Sequence, residues 1–170
     1  MKHPTEIALK RPFDVASLSW RVGNTDAKRN GGKPTKGQML AYIDARDVMK
    51  RLDDVLGFSG WRDEYREVQG RIVCRLWLRI DGDWTWREDG AGDTETEGEK
   101  GGLSDAFKRA AVKWGVGRYL YDMPSPWVAV DEYKRPVAGW DSTLKLPTWA
   151  IPEGYDRIIA AKQEKQNAPV

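Results

Sequence analysis

The sequence has 170 residues, of which 40% are hydrophobic and 32% charged, and its formal net charge is +2. This length supports one domain with a sizeable core, and no apolar run exceeds five residues, whereas a membrane span needs about 18. The first residues lead into no apolar stretch, and a single cysteine excludes a disulfide framework. We therefore expect a cytoplasmic protein with no secretory signal and no membrane partner.

The small net charge conceals a segregation of charge along the chain. Residues 81–99 hold eight acidic residues against Arg87 alone. Residues 1–36 hold eight lysines and arginines against three acids, and residues 100–118 hold five against one. Two basic segments on either side of an acidic one favour a polyanionic partner. A solvated polar surface explains the same pattern equally well from charge alone.

The first part of the chain is predicted to contain a basic loop. Residues 22–37 hold four glycines, one proline and four lysines or arginines, a composition typical of loops. The segment is only superficially similar to a phosphate-binding loop, because Ala27 stands where the first glycine should be and Pro34 follows Gly32-Lys33. Nucleotide hydrolysis is therefore not expected. A short extended segment over residues 38–43 follows.

A helix is predicted after this segment, beginning at Asp44 as N-cap and ending at Gly57 in a left-handed conformation. Its apolar residues recur at helical spacing: Ala45, Val48, Met49, Leu52, Val55 and Leu56. Asp47 and Arg51, one turn apart, are expected to pair on its outer face.

The hydrophobic pattern then changes to a period of two, which predicts a three-stranded antiparallel meander at about 61–69, 71–80 and 83–89. Cys74 falls on the face predicted to be buried, so we expect it to pack in the core and not to act as a nucleophile. The other face of the middle strand carries Arg71, Arg75 and Arg79. Pairing across strands with Asp63, Glu64 or Glu67 is favoured for this row, and phosphate binding is the alternative.

A second, basic helix is predicted after the acidic stretch. It starts near a capping box at Thr96–Glu99 and ends before Gly115. One face is apolar, whereas Lys108, Arg109 and Lys113 lie on the opposite face, where they are suited to contacting phosphates.

The C-terminal part of the chain differs from the rest in its high content of proline and tryptophan. Residues 124–152 hold five prolines and three tryptophans, which indicates an extended arm over a surface, followed by a short helix from Tyr155 to about Lys162. We expect three parts: a core domain (1–123), an arm and short helix packing on the core or on a neighbouring subunit (124–162), and a flexible tail (163–170).

The fold class expected from these elements is α+β. A helix, the three-stranded antiparallel β-meander and the basic helix form a β-β-β-α core, with a proline/tryptophan-rich C-terminal extension. An enzyme is not expected, because the one histidine, His3, lies in a terminal segment predicted to fray. The acidic residues have no recognisable metal-ligand spacing, so no metal or other cofactor is expected. A metal-dependent nuclease built on the acidic run remains the less favoured alternative.

Two motifs, in this order and on either side of the meander, are similar to those of a known family. The first is Leu40-Ala41-Tyr42-Ile43-Asp44-Ala45-Arg46, continuing through the first helix to Leu56-Gly57-Phe58-Ser59-Gly60-Trp61. The second is Gly102-Leu103-Ser104-Asp105-Ala106-Phe107-Lys108-Arg109-Ala110-Ala111-Val112-Lys113-Trp114-Gly115. Over residues 13–123 the chain resembles the Rad fifty-two family of single-strand annealing proteins, in the short form encoded by bacteriophages and bacteria.

The resemblance implies a homo-oligomer, either a ring or a helical filament, that binds single-stranded DNA in a groove and anneals complementary strands without ATP. Such proteins act in homologous recombination or double-strand-break repair, and a partner exonuclease or a host single-strand-binding protein is a further expectation. Arg21 resembles the arginine that contacts the DNA backbone from the groove, and Lys108 and Arg109 resemble the basic pair on the groove helix. Val112 stands where the family often has a further arginine.

Lys36, Lys100 and Lys113, in or beside the basic segments, complete the candidate DNA-binding residues. Tyr42 and Trp61 are expected to hold the fold instead of contacting DNA. A phage-encoded annealing protein is thus the favoured interpretation. A passive single-stranded DNA-binding protein without annealing activity is the first alternative.

Overall fold

The computed structural model describes residues 3–92, 99–142 and 144–167, with Glu99, Lys100 and Asn167 described by their backbone alone. The described residues form four α-helices: α1 (Pro4–Lys10), α2 (Ala45–Leu56), α3 (Glu99–Lys113) and α4 (Pro152–Asn167). Their six strands are β1 (Ser19–Thr25), β2 (Lys36–Tyr42), β3 (Trp61–Val68), β4 (Arg71–Ile80), β5 (Asp83–Gly90) and β6 (Trp127–Ala129). The α+β class is confirmed. No helix in this part of the chain is long and apolar enough to cross a membrane.

The strands form two antiparallel sheets. Sheet A has the order β1-β2-β6, and sheet B has the order β3-β4-β5. Helix α3 packs against β4 and β5 of sheet B, and their contact surface is the centre of one part of the core. It buries Leu76 and Leu78 from the sheet and Phe107 from the helix. The alternating pattern of β4 therefore describes its buried face correctly.

Cys74 lies on this buried face of β4 and is fully inaccessible to solvent. Burial, together with the nearby carboxylate of Asp63, raises the pKa of its thiol to about 12. Because the thiolate is the reactive form of cysteine, the side chain is inert at neutral pH. The prediction that Cys74 is a packing residue is confirmed.

Helix α2 begins and ends where the sequence predicts. The amide of Asp44 donates to Oδ2 of Asp47 at 3.0 Å, and Gly57 ends the helix with a φ of 75°. The expected pairing of Asp47 with Arg51 is wrong. Asp47 is used in capping, and the guanidinium of Arg51 turns toward the segment after α1.

Arg51 binds that segment through its backbone. The guanidinium donates to four carbonyls and lies 4.3 Å from the centre of the Phe13 ring; the carbonyls belong to Ala8, Leu9, Arg11 and Pro12. A guanidinium supplies five donors in a fixed fork, so one side chain binds several carbonyls at the end of α1 and just after it. This cation joins α1 to α2.

Helix α1 is absent from the sequence-based prediction, which expected His3 to lie in a frayed terminus. That expectation is wrong. Nδ1 of His3 accepts a hydrogen bond from the Thr5 amide at 3.2 Å, and Nε2 lies 3.1 Å from Oδ2 of Asp81 in the β4–β5 turn. Leu9 is buried in the core, and this burial holds the short helix in place.

The C-terminal arm adds to the fold in two places. Its first part forms β6, which pairs with β2, and Trp140 contacts the Trp20 ring edge-on at 5.6 Å. Helix α4 is longer than the predicted Tyr155–Lys162 helix and extends into the segment predicted to be a flexible tail. Asp156 accepts hydrogen bonds from Arg11 at 2.8–3.1 Å, which ties α4 to the segment after α1.

Replacing Arg51 with lysine is expected to destabilise the fold. An ammonium cannot reach all four carbonyls, and a buried acceptor left without a donor costs about 1–3 kcal/mol. We expect Arg51→Lys to lower the free energy of unfolding by about 2 kcal/mol in a chemical denaturation experiment. Arg46→Lys, at an exposed position of the same helix, is the control. Equal stability of the two variants would contradict the role given to Arg51.

Candidate nucleic-acid interface

A groove lies between sheet A and helix α3. It encloses a cavity of about 280 Å³. One wall is formed by Arg21 of β1 together with Leu40 and Tyr42 of β2, and the other by Asp105, Lys108, Arg109 and Val112 of α3. The chain after α3 closes the floor with Val116, Gly117, Leu120 and Met123. The groove is therefore apolar at its base and basic at both walls.

The register of sheet A explains why Arg21 faces the groove. Arg21 is paired with Leu40, and directly paired residues of antiparallel strands point to the same face of the sheet. Met39 and Gly37 point to the opposite face and are buried. Arg21 is exposed and has no ion pair within the described residues.

Packing against sheet B decides which face of α3 lines the groove. Ala106, Phe107 and Ala110 are buried against the sheet. A helix turns by about 100° per residue, so Lys108 and Arg109 point away from that contact. The structure brings Arg21, Lys108 and Arg109 together around one cleft. These are the three residues for which the sequence resemblance implies a DNA contact.

Lys113 lies on the same helix but does not line this groove. Its Nζ donates to the carbonyl of Glu88 at 2.7 Å and lies 3.7 Å from Oδ2 of Asp89. Asp89 also lies 3.7 Å from Nε of Arg109. Lys113 thus ties α3 to β5, whereas Arg109 stands between Asp89 and the groove.

The other two predicted lysines lie elsewhere. Lys36 is exposed at the start of β2 and points to the same face of sheet A as Leu40, four residues further on. Lys100 is in the first turn of α3, and its side chain falls outside the described residues. Tyr42, expected to hold the fold, lines the groove, as does Asp105, which accepts a hydrogen bond from the Gly92 amide at 3.1 Å. Helical spacing places Asp105 on the same polar face of α3 as Lys108 and Arg109, and the structure agrees.

Arg75 of the arginine row is paired across strands, as favoured, but its partner differs from those expected, and Nε of Arg79 donates to the carbonyl of Gly82 at 3.3 Å. Glu88 on β5 accepts from Nε of Arg75 at 3.0 Å and from Nη2 of Arg66 at 2.6 Å. The predicted partners Asp63, Glu64 and Glu67 all lie on β3. The register places Arg75 directly between Glu64 of β3 and Glu88 of β5, and its guanidinium pairs with the carboxylate on β5.

Tryptophan rings occupy much of the same face of sheet B. The guanidinium of Arg62 lies 4.9 Å from the ring centres of both Trp77 and Trp84, and that of Arg75 lies 4.1 Å from Trp86. Cations in these positions are attracted by the negative faces of the rings. These arginines are therefore less available to phosphates than those of the groove.

The segment predicted as a loop over residues 22–37 is largely a hairpin, because β1 extends to Thr25 and β2 begins at Lys36. Asp26 holds the connecting turn. Its carboxylate accepts from the amides of Thr35 and Lys36 at 2.8 and 2.9 Å, from the Thr35 hydroxyl and from Asn30. The turn presents exposed Lys28, Arg29 and Lys33, which form no ion pair within the described part of the chain.

Comparison with known proteins identifies the family. The model of the "Rad52/22 family double-strand break repair protein" matches residues 4–138, which include both motifs, sheet A, sheet B and α3. The chain belongs to the Rad52/22 family. The resemblance inferred from the two motifs is confirmed.

Two relatives of this Rad52/22 family member are named "Single-stranded DNA-binding protein DdrA". That of Deinococcus deserti is 39% identical over 150 residues, covering 85% of this chain and 69% of the relative. That of Deinococcus radiodurans is 36% identical over 147 residues, covering 85% and 66%. The chain therefore spans about two thirds of their length.

A more distant relative is the "DNA repair and recombination protein RAD52" of Eremothecium gossypii. It is 32% identical over 118 residues, which cover 62% of this chain and 26% of the relative. No solved structure matches the chain significantly.

The turn held by Asp26 is expected to be sensitive to acid. Hydrogen bonds from the Thr35 side chain and from the Lys36 and Thr35 amides lower the pKa of Asp26 from 3.8 to about 2. A carboxylate whose pKa falls on folding stabilises the folded form above its unfolded pKa, and this contribution is lost as the pH falls toward about 2. The NMR shifts of the Thr35 and Lys36 amides should titrate with a midpoint near 2.

Thr35→Val provides the matched variant for this titration. It removes the hydroxyl donor and keeps the backbone amides, so the midpoint should rise toward the ordinary aspartate value. A wild-type midpoint at that ordinary value would show that the carboxylate does not hold the turn.

Proposed function

We propose that this protein binds single-stranded DNA in the groove between sheet A and α3 and anneals complementary strands without ATP, in homologous recombination or double-strand-break repair. The observation that carries the proposal is the convergence of Arg21, Lys108 and Arg109 from two separate elements on one cleft. Membership of the Rad52/22 family and the names of two relatives, which describe them as single-stranded DNA-binding proteins, support single-stranded DNA as the ligand.

The chemistry of the groove suits annealing. A protein that pairs two strands has to hold phosphates and leave the hydrogen-bonding edges of the bases free. Arginine and lysine at the walls supply phosphate contacts, while the groove base is lined by aliphatic residues such as Val116 and Leu120. Such a surface binds the DNA backbone with little readout of sequence.

Assembly into a ring or helical filament is part of the proposal. Three phosphate contacts in one subunit bind weakly at physiological salt, whereas a ring of subunits multiplies them along one strand. The arm over residues 124–162 is proposed to contribute to contacts between neighbouring subunits as well as to its own sheet A.

Passive binding of single-stranded DNA is the second candidate function. The observation that favours it is the name of the two DdrA relatives, which mentions binding of single-stranded DNA and not annealing. A metal-dependent nuclease has less support. No group of three histidine, cysteine or acidic side chains suited to a metal occurs in the described ranges, and residues 93–98 of the acidic run fall outside them.

Mixing complementary oligonucleotides separates these functions. We expect the protein to accelerate duplex formation in the absence of nucleotide, measured by the quenching of a fluorophore on one strand by the other. The double variant Lys108→Ala, Arg109→Ala should lose this acceleration. Binding without acceleration would support passive binding, and shortening of the strands in magnesium would support a nuclease.

The salt dependence of binding tests where the phosphates lie. Each phosphate contact with a single strand contributes about 0.7 to the slope of log affinity against log salt. Replacing both Lys108 and Arg109 with alanine should therefore reduce the slope by about 1.4 per site. Lys113→Ala, on the same helix but directed at β5, is the control and should keep the wild-type slope. A reduced slope in the Lys113→Ala control alone would show that the DNA contacts the β5 side of α3 and not the groove.

A further inference from the structure

Trp127 is exposed on β6, close in sequence to the groove-lining residues Pro124 and Ser125, and does not itself line the cavity. It is paired with Gln38 of β2, so it points to the same face of sheet A as Gln38, Leu40 and Arg21. Its exposed fraction is 51%. An indole ring therefore continues the face of sheet A that forms one wall of the groove.

The surroundings of Trp127 differ from those of most other tryptophans in this chain. Seven of the nine have an aromatic or cationic partner in ring contact: Trp20, Trp61, Trp77, Trp84, Trp86, Trp114 and Trp140. Among the described residues, Trp127 and Trp149 have no such ring contact. Trp149 precedes α4 and does not line the groove.

The backbone that carries Trp127 is fixed on both sides. The amide of Met39 donates to the carbonyl of Pro126 at 2.9 Å. Nε2 of Gln38 donates to Oγ of Ser125 at 2.9 Å, and Oε1 of Gln38 accepts from Asn24 at 3.1 Å. These bonds hold β6 against β2, so the exposed ring stands on a rigid support and not on a free loop.

The distance between Trp127 and Arg21 is short enough for one DNA strand to contact both residues. Two residues along β2 separate the pair Arg21–Leu40 from the pair Gln38–Trp127, and β1 and β6 lie on opposite sides of β2. A rise of about 3.4 Å per residue and a strand separation of about 4.8 Å place the two Cα atoms about 12 Å apart. One nucleic acid strand can contact both residues.

We propose that Trp127 is a base-stacking residue, which contacts a base of the same single strand whose phosphates bind Arg21, Lys108 and Arg109. This inference rests on the proposed binding of single-stranded DNA in the groove. Every base has a π face, so an indole ring stacks on a base of any sequence. Stacking also leaves the Watson–Crick edge accessible to a complementary strand. The ring adds affinity without adding sequence readout.

The test compares oligothymidylate with an abasic oligonucleotide of the same length, which keeps the phosphates and lacks the bases. Trp127→Ala should weaken binding of oligothymidylate about five- to a hundredfold, leave the slope against salt unchanged and leave binding of the abasic oligonucleotide unchanged. Trp127→Phe should retain most of the affinity. Trp149→Ala is the matched control and should bind both oligonucleotides as the wild type does.

A further variant and two measurements distinguish base stacking from a role of Trp127 in folding or in subunit contacts. Trp127→Leu keeps an apolar side chain on the edge strand but has no π face. It should therefore fold as the wild type does and lose affinity for oligothymidylate alone, even where the alanine variant fails to fold. Equal losses on the two oligonucleotides, or a smaller oligomer in light scattering, would mean that Trp127 contacts a neighbouring subunit and would overturn the inference. Unchanged binding of oligothymidylate would overturn it as well.

Two results distinguish failure of the stacking role from failure of the proposed DNA-binding groove. If Lys108→Ala, Arg109→Ala loses affinity for both oligonucleotides while Trp127→Ala loses none, the stacking role fails and the proposed groove stands. If the wild-type protein binds neither oligonucleotide, the proposed function fails and the stacking role fails with it.

Discussion

The groove depends on how closely helix α3 approaches sheet B. Ala106, Ala110 and Ala111 of α3 are fully buried, and their small methyl side chains let the helix lie close to the elements it packs against, which are β4, β5 and α2. Nε1 of Trp114 donates to the carbonyl of Leu76 at 3.2 Å, which fixes the rotation of the helix about its axis. A larger side chain at any of the three alanines would displace the helix, because a close-packed core does not absorb extra volume. The position of Lys108 and Arg109 opposite sheet A follows from this packing.

The two sheets differ in whether their exposed arginines have acidic or aromatic partners. On the outward face of sheet B, Glu88 pairs with Arg66 and Arg75, and indole rings contact Arg62. On the groove face of sheet A, Arg21 has no ion pair within the described residues. Since a paired cation contributes little further attraction for a distant phosphate, the difference favours the groove as the site of a polyanion. Asp89, next to Arg109, lowers the potential at one end.

Membership of the Rad52/22 family gives this arrangement a context, and the chain departs from the expected pattern at Val112. An aliphatic side chain lines the groove where a further cation was expected. The phosphate contacts proposed here therefore depend more heavily on Arg21 and on the pair Lys108 and Arg109. The exposed turn held by Asp26 adds Lys28, Arg29 and Lys33 at the far end of the β1–β2 hairpin.

Local sequence determined those elements whose signals are short-range. Asp44 and Gly57 set the ends of α2 through capping and a positive φ, the alternation of apolar residues set the three strands of sheet B, and the spacing of apolar and basic residues set the two faces of α3. Each of these depends on the conformation of adjacent residues, which the sequence states directly. The helical pattern also predicted that Lys108 and Arg109 share an exposed face, whereas Arg21 was predicted from the family resemblance alone.

Tertiary structure decided what depends on residues distant in the chain. Strand β1 contains Gly23, Asn24 and an irregular register, and β6 lies between prolines, so neither has a strong strand pattern; each is held by its pairing with β2. The carbonyls that bind Arg51 are about 40 residues away in sequence, and the partner of Arg75 depends on the register of β5. Long-range packing decides which cations share one groove, and it places an exposed tryptophan on the same face of sheet A. No local pattern encodes either arrangement.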